Sequence, residues 1–309
     1  MLILNSNDLE NDMQLFKDAI QHITIGVSEP FGDLTITPVH ILEEAPLTGY
    51  VGFDHLFDSG LVEALEISVS GVVGRISVNN MSDDSLCLFD GEALVGAKQN
   101  RIVERSLIVP PKTEIAVPVN CVERGRWSGL GGRGRFHKSE FAATPSMKMS
   151  KAQMLKERRV GEIQAEMWAS VDRVAACHDV GSSSDDLGEI YEGMNRSQFR
   201  AMEDYVSSMQ SHGYVIDGIR NPFIEIFGAT EFCRSYAKKA VRAWMTESVK
   251  RANCDSEGAL SRLKNCDWKS DESFGSEVAW VPGDSNNGRV IQSGGGHLIH
   301  AFLDLTPAV

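Results

Sequence analysis

The amino-acid sequence predicts an α+β fold, with an N-terminal antiparallel β-sandwich or barrel followed by a helical, α+β C-terminal part. Three observations support this prediction. Short segments rich in β-branched residues recur over the first 122 residues, with turn signals between them. A basic, glycine-rich stretch begins after Glu123, and helical periodicity starts near Ser150. We therefore expect a mainly β domain over residues 1–123, a basic glycine-rich loop over 124–149 and an α+β domain over 150–309.

The composition indicates a globular protein with an acidic surface. The chain has 309 residues, of which 42% are hydrophobic, enough to bury a sizeable core. A formal net charge of −13 argues against general attraction to nucleic acid or to anionic membranes. The sequence shows neither a signal-peptide pattern nor an apolar stretch long enough to cross a bilayer, and its six cysteines have no CxxC spacing. We therefore expect a soluble, cytoplasmic protein with neither a disulfide framework nor a structural zinc site.

The N-terminal half is expected to begin with a helix and to continue as strands. Asn7 to about Gln21 forms an amphipathic pattern led by an Asn or Asp cap. Turn signals such as Asn79-Asn80 and Pro110-Pro111-Lys112 then separate segments that alternate in character. The expected strands are residues 34–42, 61–70, 74–80, 85–91, 101–109 and 113–122. Because no long helical pattern interrupts them, these strands should pair in an antiparallel arrangement.

The C-terminal half combines three expected helices with closing strands. The helices run from Ser150 to about Cys177, from Ser197 to Ser211, and over 231–253 with Thr230 as the cap. Between the last two, Arg220-Asn221 is expected to be a hairpin turn that joins GYVIDGI to PFIEIFG. The tail should form two or three strands from EVAWVPG, RVIQSGG and HLIHAFLDL.

A basic island interrupts this otherwise acidic chain. Residues 124–159 contain ten Lys or Arg residues against two acids. Within the island, Gly129 to Gly134 is expected to be a mobile loop, and RGRFHK over 133–138 places Phe136 among cations, as in sites for single-stranded nucleic acid or nucleotides. Charge runs are more commonly solvated, flexible loops. Both interpretations stay open, and the overall acidity disfavours nucleic acid as a partner.

The first chemical motif begins with Asp90-Gly91-Glu92, between two strand-like segments. The carboxylates of Asp90 and Glu92 could project together from a sheet end, although a solvated Asp-Gly turn accounts for the same residues. The run that follows consists of Gly96 and Ala97 and then four long polar residues, Lys98, Gln99, Asn100 and Arg101. The two cations suit a phosphate or carboxylate, and the two amides can read a neutral polar group. Four such residues in a row cannot all be core.

The second motif, CVERGRW over residues 121–127, ends the last N-terminal strand. If the extended form persists, one face carries Cys121, Glu123 and Gly125, and the other carries Val122, Arg124 and Arg126. Trp127 offers a flat face for a base or sugar, or packs as an anchor. The polar residues of this motif therefore add to those of the first.

Two residues of the second motif are candidate catalysts. Cys121 could act as a nucleophile with His137 as its base, or it could be a buried small hydrophobe. Glu123 could act as a general base, or could hold a divalent metal together with Glu92 if the two strand ends are adjacent. The alternative for Glu123 is an ion pair with a neighbouring arginine, Arg101 or Arg124.

With these motifs and the helical segment FCRSYAKKAVRAW, the chain resembles the ARG-and-rhodanese-phosphatase-superfamily-associated protein domain family, a bacterial and phage family. The resemblance covers most of the chain and is strongest over 85–127. By association, the family name implies chemistry of ADP-ribose, NAD-derived nucleotides or phosphate esters. The positions that match its signature are Asp90, Gly91, Glu92, Gly96, Ala97, Lys98, Gln99, Asn100, Arg101, Cys121, Glu123, Arg124, Gly125, Arg126 and Trp127. After Trp127 a glycine-rich GLGGRG departs from the family's more basic and serine-rich run.

The leading hypothesis is a site that binds a phosphorylated ligand of the ADP-ribose, NAD or nucleotide type and, if the protein is an enzyme, hydrolyses it. The ligand would be contacted by Lys98, Gln99, Asn100, Arg101, Arg124, Arg126 and Trp127. Glu92 and Glu123 would be the catalytic or metal-holding carboxylates, and the supporting residues would be Asp90, Gly91, Gly96 and Cys121.

Two other functions stay open. The first is a non-enzymatic module that contacts a partner protein or senses a nucleotide in a conflict or stress system, with the charged motifs as buried ion pairs that maintain the fold. The second is nucleic-acid binding through the basic loop, which would show steep salt dependence. No membrane partner is expected.

Overall fold

The structure is a computed structural model that describes residues 6–42, 47–127, 133–178, 180–194, 197, 199–219, 222–249, 256–283 and 286–304, with side chains of the first helix from Glu10 onward. The chain forms two compact units. Gly49–Phe199 is the barrel unit, and Met1–Thr48 with Arg200–Val309 is the split unit. The predicted α+β fold with a β-rich N-terminal part is confirmed.

The helices and strands are numbered in chain order. The helices are α1 (Ser6–Gln21), α2 (Phe53–Asp58), α3 (Pro145–Lys156), α4 (Val160–His178), α5 (Leu187–Gly193), α6 (Arg200–Ser208), α7 (Thr230–Thr246) and α8 (Ser256–Asn265). The strands of the first half are β1 (Ile23–Ile25), β2 (Glu29–Phe31), β3 (Leu34–Ile41), β4 (Tyr50–Gly52), β5 (Val62–Glu66), β6 (Arg75–Asn80), β7 (Ser85–Leu88), β8 (Glu92–Gly96), β9 (Arg101–Val103), β10 (Leu107–Val109), β11 (Thr113–Cys121) and β12 (Arg135–Ala142). Those of the second half are β13 (Gly213–Asp217), β14 (Phe223–Phe227), β15 (Trp268–Asp271), β16 (Val278–Pro282), β17 (Gly288–Gln292) and β18 (Leu298–Asp304).

Six strands of the barrel unit close into a barrel in the order β11-β6-β5-β12-β8-β9, and every neighbouring pair is antiparallel. Apolar side chains such as Ile76, Val78 and Phe136 are fully buried on these strands. Helix α4 packs on β11 and α3 packs on α4, while β10, β7 and β4 form a small separate sheet. Of the two β architectures that the sequence left open, the closed barrel is the one adopted.

The split unit is built on an antiparallel sheet with the path β1-β3-β13-β14-β18-β17-β16-β15 and with β2 paired to β3. One sheet face packs against α1 and α8 through Phe16 and Leu263. The other packs against α7, where the rings of Tyr214 and Trp244 lie 4.8 Å apart. Because β3 pairs with β13, the first 48 residues join the C-terminal half, which differs from the division expected at residues 123 and 149.

Most of the expected elements are present, with different ends. β13 and β14 pair as a hairpin, while its expected turn residues, Arg220 and Asn221, lie outside the described residues. The third expected helix, α7, ends at Thr246 rather than at residue 253, and its N-cap is Ala229 rather than Thr230. The backbone of Ala229 is extended, so the helical conformation begins with Thr230 itself.

The helix expected from Ser150 is in fact two helices. Helix α3 begins at Pro145, which suits the first helical position because proline lacks the N–H that would go unpaired there. The side chain of the preceding Thr144 caps this helix by accepting a hydrogen bond from the Met147 N–H. This Thr-Pro start was present in the sequence, within the segment that was interpreted as a basic loop.

The basic segment RGRFHK is largely a strand. Residues from Arg135 onward form β12, which pairs with β5 and β8 and so closes the barrel. The exposed Arg135 and His137 flank the buried Phe136, which is the pattern of a strand with one solvated face. The interpretation of Arg135 to Lys138 as a flexible loop was therefore wrong. Gly129 and the residues up to Gly132 lie outside the described residues.

Candidate functional site

The Asp90-Gly91-Glu92 motif is a tight turn, and it is buried rather than solvated. The Glu92 N–H donates to the Phe89 carbonyl over 3.0 Å, and Gly91 has a φ of 77°, which favours glycine. The exposed fraction is 1% for Asp90 and 4% for Glu92. A carboxylate placed so deeply needs a cationic or hydrogen-bonding partner.

Helix α3 supplies the partner of Asp90. Lys151 is completely buried, and its Nζ lies 2.7 Å from Asp90 Oδ1 and donates to the Val103 carbonyl over 3.2 Å. Burial lowers the pKa of Lys151, an effect that Asp90 opposes. Lys148, one turn earlier, is also buried. Two lysines of the basic island are therefore buried, and one of them, Lys151, neutralises Asp90 of the first motif.

The link between β8 and β9 brings the two motifs together. Asn100 makes hydrogen bonds to both motifs. Its side-chain Oδ1 accepts from the Gly96 N–H at 2.8 Å, and its backbone N–H donates to Glu123 Oε2 at 2.9 Å. Its side-chain amide also donates to both oxygens of Asp186, at 3.1 Å each. Asn100 thus holds the two motifs and the start of α5 in one arrangement.

Glu123 forms a bidentate ion pair with Arg126. The Arg126 Nε and Nη2 atoms each lie 2.6 Å from one oxygen of the Glu123 carboxylate. The strand alternation predicted for this segment does not persist, because β11 ends at Cys121 and both side chains turn to the same side. Arg124 instead pairs with two surface acids, Asp172 and Asp185. The predicted ion-pair partners of Glu123, Arg101 and Arg124, were therefore wrong.

Glu92 and Glu123 do not share a site. Glu92 begins β8, and Glu123 lies beside Asn100, which binds the far end of that strand at Gly96. A five-residue strand spans about 13 Å, so the two carboxylates lie near opposite ends of β8. Among the described residues, no group of three or more His, Cys, Asp or Glu side chains could hold a metal ion. The geometry does not support the joint metal site that the sequence suggested.

Cys121 is buried, and its partners are not those of a catalytic thiol. The Cys121 Sγ–H can donate to Gln99 Oε1 or to the Glu123 carbonyl, at 3.1 and 2.9 Å. Its backbone is held on both sides by Gln164 of α4. His137 is exposed on β12, where its ring packs on Phe57. Cys121 and His137 thus have different partners, and burial raises the pKa of the Cys121 thiol.

This burial predicts a clear difference in thiol reactivity. In the native protein, iodoacetamide should label the exposed Cys177 while Cys121 stays unlabelled until denaturant is added, because alkylation requires an accessible thiolate. Peptide mapping by mass spectrometry distinguishes the two positions. Native labelling of Cys121 as fast as that of Cys177 would show that Cys121 is an accessible, activated thiol.

The remaining polar residues of the first motif surround a tryptophan. The Lys98 Nζ lies 5.4 Å from the centre of the Trp127 ring, and the Arg101 Cζ lies 5.7 Å from it. These distances are typical of cation–π contacts. Trp127 itself is 45% exposed, so one part of its surface remains open to solvent. Lys98, Arg101 and Trp127 are hereafter called the cationic site.

Arg101 is the unusual member of the cationic site. Its side chain is fully buried, and its Nη1 donates to Gln99 Oε1 over 3.1 Å. Its Nη2 lies 4.0 Å from Glu66 Oε1, too far for a hydrogen bond. Within the described part of the chain, Arg101 Nε and Nη2 and Glu66 Oε2 have no hydrogen-bond partner. Buried polar atoms without partners are uncommon and indicate a place for water or a ligand.

A loop rich in aliphatic residues borders the cationic site, and none of the sequence motifs predicts it. Ile67, Val69, Val72 and Val73 are between 36% and 59% exposed, and Gly71 among them packs on the Lys98 side chain. The segment had been expected to continue the preceding strand to residue 70, but β5 ends at Glu66. Ser70-Gly71 was the available turn signal. Several exposed apolar side chains in one loop are typical of an interaction surface.

Most cations of the basic island are already neutralised. At least seven of its ten Lys and Arg residues take part in ion pairs with acids: Arg124, Arg126, Arg133, Arg135, Lys138, Lys151 and Arg159. A surface that attracts a nucleic-acid backbone needs cations without acidic partners. Such cations neutralise the phosphates and release the counterions condensed on the nucleic acid. The island is therefore better described as a set of local ion pairs than as a continuous basic surface.

Comparison with known proteins adds one match. Residues 22–303 match the family model described as the ARG and Rhodanese-Phosphatase-superfamily-associated Protein domain. No curated protein and no solved structure matches the chain. Within the described residues, no helix is long and apolar enough to span a membrane. The resemblance inferred from the motifs is confirmed, and the cationic site lies wholly within the matched region.

Proposed function

We propose a ligand-binding function for this chain, which belongs to the ARG and Rhodanese-Phosphatase-superfamily-associated Protein domain family. The ligand is a phosphorylated, ring-bearing molecule of the nucleotide, NAD or ADP-ribose type, and it binds at the cationic site. The family description, with its reference to a phosphatase superfamily, is compatible with phosphoryl or nucleotide chemistry. The choice of site rests on the geometry of the chain itself.

The buried Arg101 carries the proposal. Its two unpartnered guanidinium nitrogens can both donate to one phosphate, and such charge-assisted bonds are strong where water is excluded. Lys98 adds a second positive charge next to it, while Glu66 is the acid nearest the guanidinium. Arg126 neutralises Glu123, and Glu66 offsets only one of the two cations, so the site keeps a net positive charge that attracts an anion.

Trp127 and the aliphatic loop suit the other end of such a ligand. The half-exposed indole provides a flat face on which a base or nicotinamide ring can stack. The exposed Val69 and Val72 extend this apolar surface beside Lys98. A ligand with a ring at one end and phosphate at the other matches both parts of the site.

The proposal covers binding and assigns no hydrolytic step. Glu123 is occupied by Arg126, Asn100 and Ser184, and Glu92 lies near the other end of β8. Neither carboxylate is poised to activate water at the cationic site.

A cytoplasmic location remains part of the proposal, and it is supported by the five cysteines of the described residues, which are all free thiols.

Two substitutions test the binding site. Trp127→Ala and Lys98→Gln should each weaken the binding of ADP-ribose at least about tenfold, because losing a stacked ring or a charged contact costs about 1.4 kcal/mol or more. Isothermal titration calorimetry measures the dissociation constant, with NAD and ribose 5-phosphate as further ligands. A thermal-shift assay provides a second readout, since a ligand at one hundred times its Kd stabilises the native state by about 2.7 kcal/mol.

Lys138→Gln is the matched control. Lys138 is a cation of the same barrel, but it is ion-paired with Asp58 on the surface of the barrel unit. This variant should bind ADP-ribose like the wild type. The proposal fails if the wild type binds none of the three ligands, or if all three variants bind with the same Kd.

A non-enzymatic scaffold or sensing module in a conflict or stress system is the second candidate. The observation that favours it is that buried acids of both motifs form ion pairs, Asp90 with the buried Lys151 and Glu123 with the partly exposed Arg126. In that case these residues would serve stability, and binding assays with small ligands would remain flat. The stability of Glu123 variants helps to separate the two functions.

A further inference from the structure

The buried side chains of Asp90 and Lys151 are close enough to react with each other. The Lys151 Nζ lies 2.7 Å from Asp90 Oδ1, and neither side chain is more than 1% exposed. Both groups are shielded from solutes in the native state, and the amine is in direct contact with the carboxyl group. This inference is independent of the ligand-binding proposal, which uses other residues.

We propose that Lys151 and Asp90 condense into an intramolecular isopeptide bond, which joins the turn before β8 to helix α3. The bond forms between Lys151 Nζ and Asp90 Cγ, and one water molecule is released. The modification closes a covalent ring through the barrel unit from Asp90 to Lys151.

The backbone holds both partners in place. The Asp90 N–H donates to Ser106 Oγ at 2.8 Å, and the next residue, Gly91, is bonded on both sides, to the Val103 carbonyl and to the Ala143 N–H. Lys151 projects from a helix whose start is capped by Thr144, and the Val103 carbonyl holds its Nζ. Fixing two reactants in contact raises their effective concentration by orders of magnitude.

The surroundings favour the neutral amine that the reaction requires. Removal from water penalises the charged amine, and the pKa of Lys151 is accordingly lowered. The neighbouring Lys148 acts in the same direction, whereas Asp90 and Glu104 oppose this lowering without cancelling it. Lysine in such a setting is a recognised nucleophile, and the exclusion of bulk water also protects the product from hydrolysis.

The condensation balances without an oxidant or a cofactor. The Lys151 ammonium first transfers one proton to the Asp90 carboxylate, which gives an amine and a carboxylic acid. The nitrogen lone pair attacks Asp90 Cγ to form the C–N bond, and a proton then passes from nitrogen to the departing hydroxyl as the C–O bond breaks. Water leaves, and the product amide keeps one N–H that can still donate to the Val103 carbonyl. Two buried charges are thereby replaced by one neutral, hydrogen-bonded group.

Intact-mass spectrometry of the purified full chain, under denaturing conditions, tests the proposal. The wild type should have a mass lower than its sequence mass by one water molecule, and a protease digest should contain a branched peptide that joins Asp90 to Lys151. Lys151→Arg, which keeps the positive charge, and Asp90→Ala should both show their full sequence mass.

Lys148→Arg is the matched control, because it changes a buried lysine of the same helix and leaves the reactive pair intact. It should still lose one water. If Asp90→Ala does not fold, the wild-type mass remains decisive. Folded wild-type protein that keeps its full sequence mass, or that loses water through a branched peptide at other residues, would overturn the proposal.

Discussion

Glu123→Ala is expected to lower the free energy of unfolding of the barrel unit by about 2–3 kcal/mol, because it removes a buried carboxylate that accepts several hydrogen bonds, while the paired Arg126 is partly exposed. Glu123 is only 3% exposed, and its two oxygens accept hydrogen bonds from Arg126, Asn100 and Ser184. Without the carboxylate, the Asn100 N–H loses its acceptor, and the guanidinium of Arg126 is left beside the buried pocket that Glu123 occupied.

Hydrogen exchange followed by mass spectrometry measures this loss within the barrel unit, because each peptide reports the opening free energy of its own segment. Peptides that cover β9 and β11 should lose protection in Glu123→Ala. Peptides from the sheet of the split unit serve as the internal reference. Urea denaturation of the whole chain gives the corresponding change in midpoint.

Glu114→Ala is the matched control for this experiment. Glu114 lies on β11 and also pairs with an arginine, Arg133, but its side chain is 53% exposed. Exposed ion pairs contribute little to stability, so this variant should unfold like the wild type. If Glu123→Ala is as stable as Glu114→Ala but no longer binds or processes a ligand, Glu123 is functional rather than structural.

The meeting of the two motifs could be predicted from the sequence, whereas the role of each acid could not. Arg101 and Cys121 are direct partners across β9 and β11, so residues 98–101 and 121–127 do come together. The sequence pattern shows that Glu123 needs a partner, but it does not show that the chain turns after Cys121 and presents Arg126. Glu92 was grouped with Glu123 because both end strand-like segments, and only the barrel order shows which ends are adjacent.

The environment of the charged residues differs most from what the sequence predicts. The cations of β12 alternate along a strand with one solvated face, and local composition alone resembles that of a loop. Lys148 and Lys151 were counted in a solvated island, yet the buried face of α3 carries both. A lysine becomes an interior residue only when a distant segment supplies an acid, as Asp90 does for Lys151. Such long-range pairing leaves no periodic signal in the sequence.

The pairing of distant strands also explains why the domain division differed. Strand β3 was expected, but its neighbour in the sheet is β13, more than 170 residues later, rather than a strand of the N-terminal half. The pattern of a strand predicts which of its residues face the core, but it does not predict which other strand pairs with it. The close approach of these two strands is visible at a single glycine.

Gly218→Ala should be among the most destabilising single substitutions in the split unit. Gly218 follows β13 with a φ of 80°, and a Cβ at this position would lie only 1.8 Å from the backbone carbonyl oxygen of Asp33. Left-handed strain costs about 1–2 kcal/mol and overpacking costs about 1–3 kcal/mol, so the expected loss is about 2–5 kcal/mol. Urea denaturation gives the total, and hydrogen exchange should show loss of protection in β3 and β13.

Gly32→Ala separates strain from steric overlap, because it changes a glycine in the same hairpin turn that contains Asp33. Gly32 has a φ of 66°, but a Cβ there would meet nothing within 4 Å. Its replacement should therefore cost only the backbone strain, about 1–2 kcal/mol. The difference between the two variants measures how closely the turn before β3 approaches the end of β13. Equal losses would mean that the turn moves away freely, and that this contact does not hold the first 48 residues to the C-terminal half.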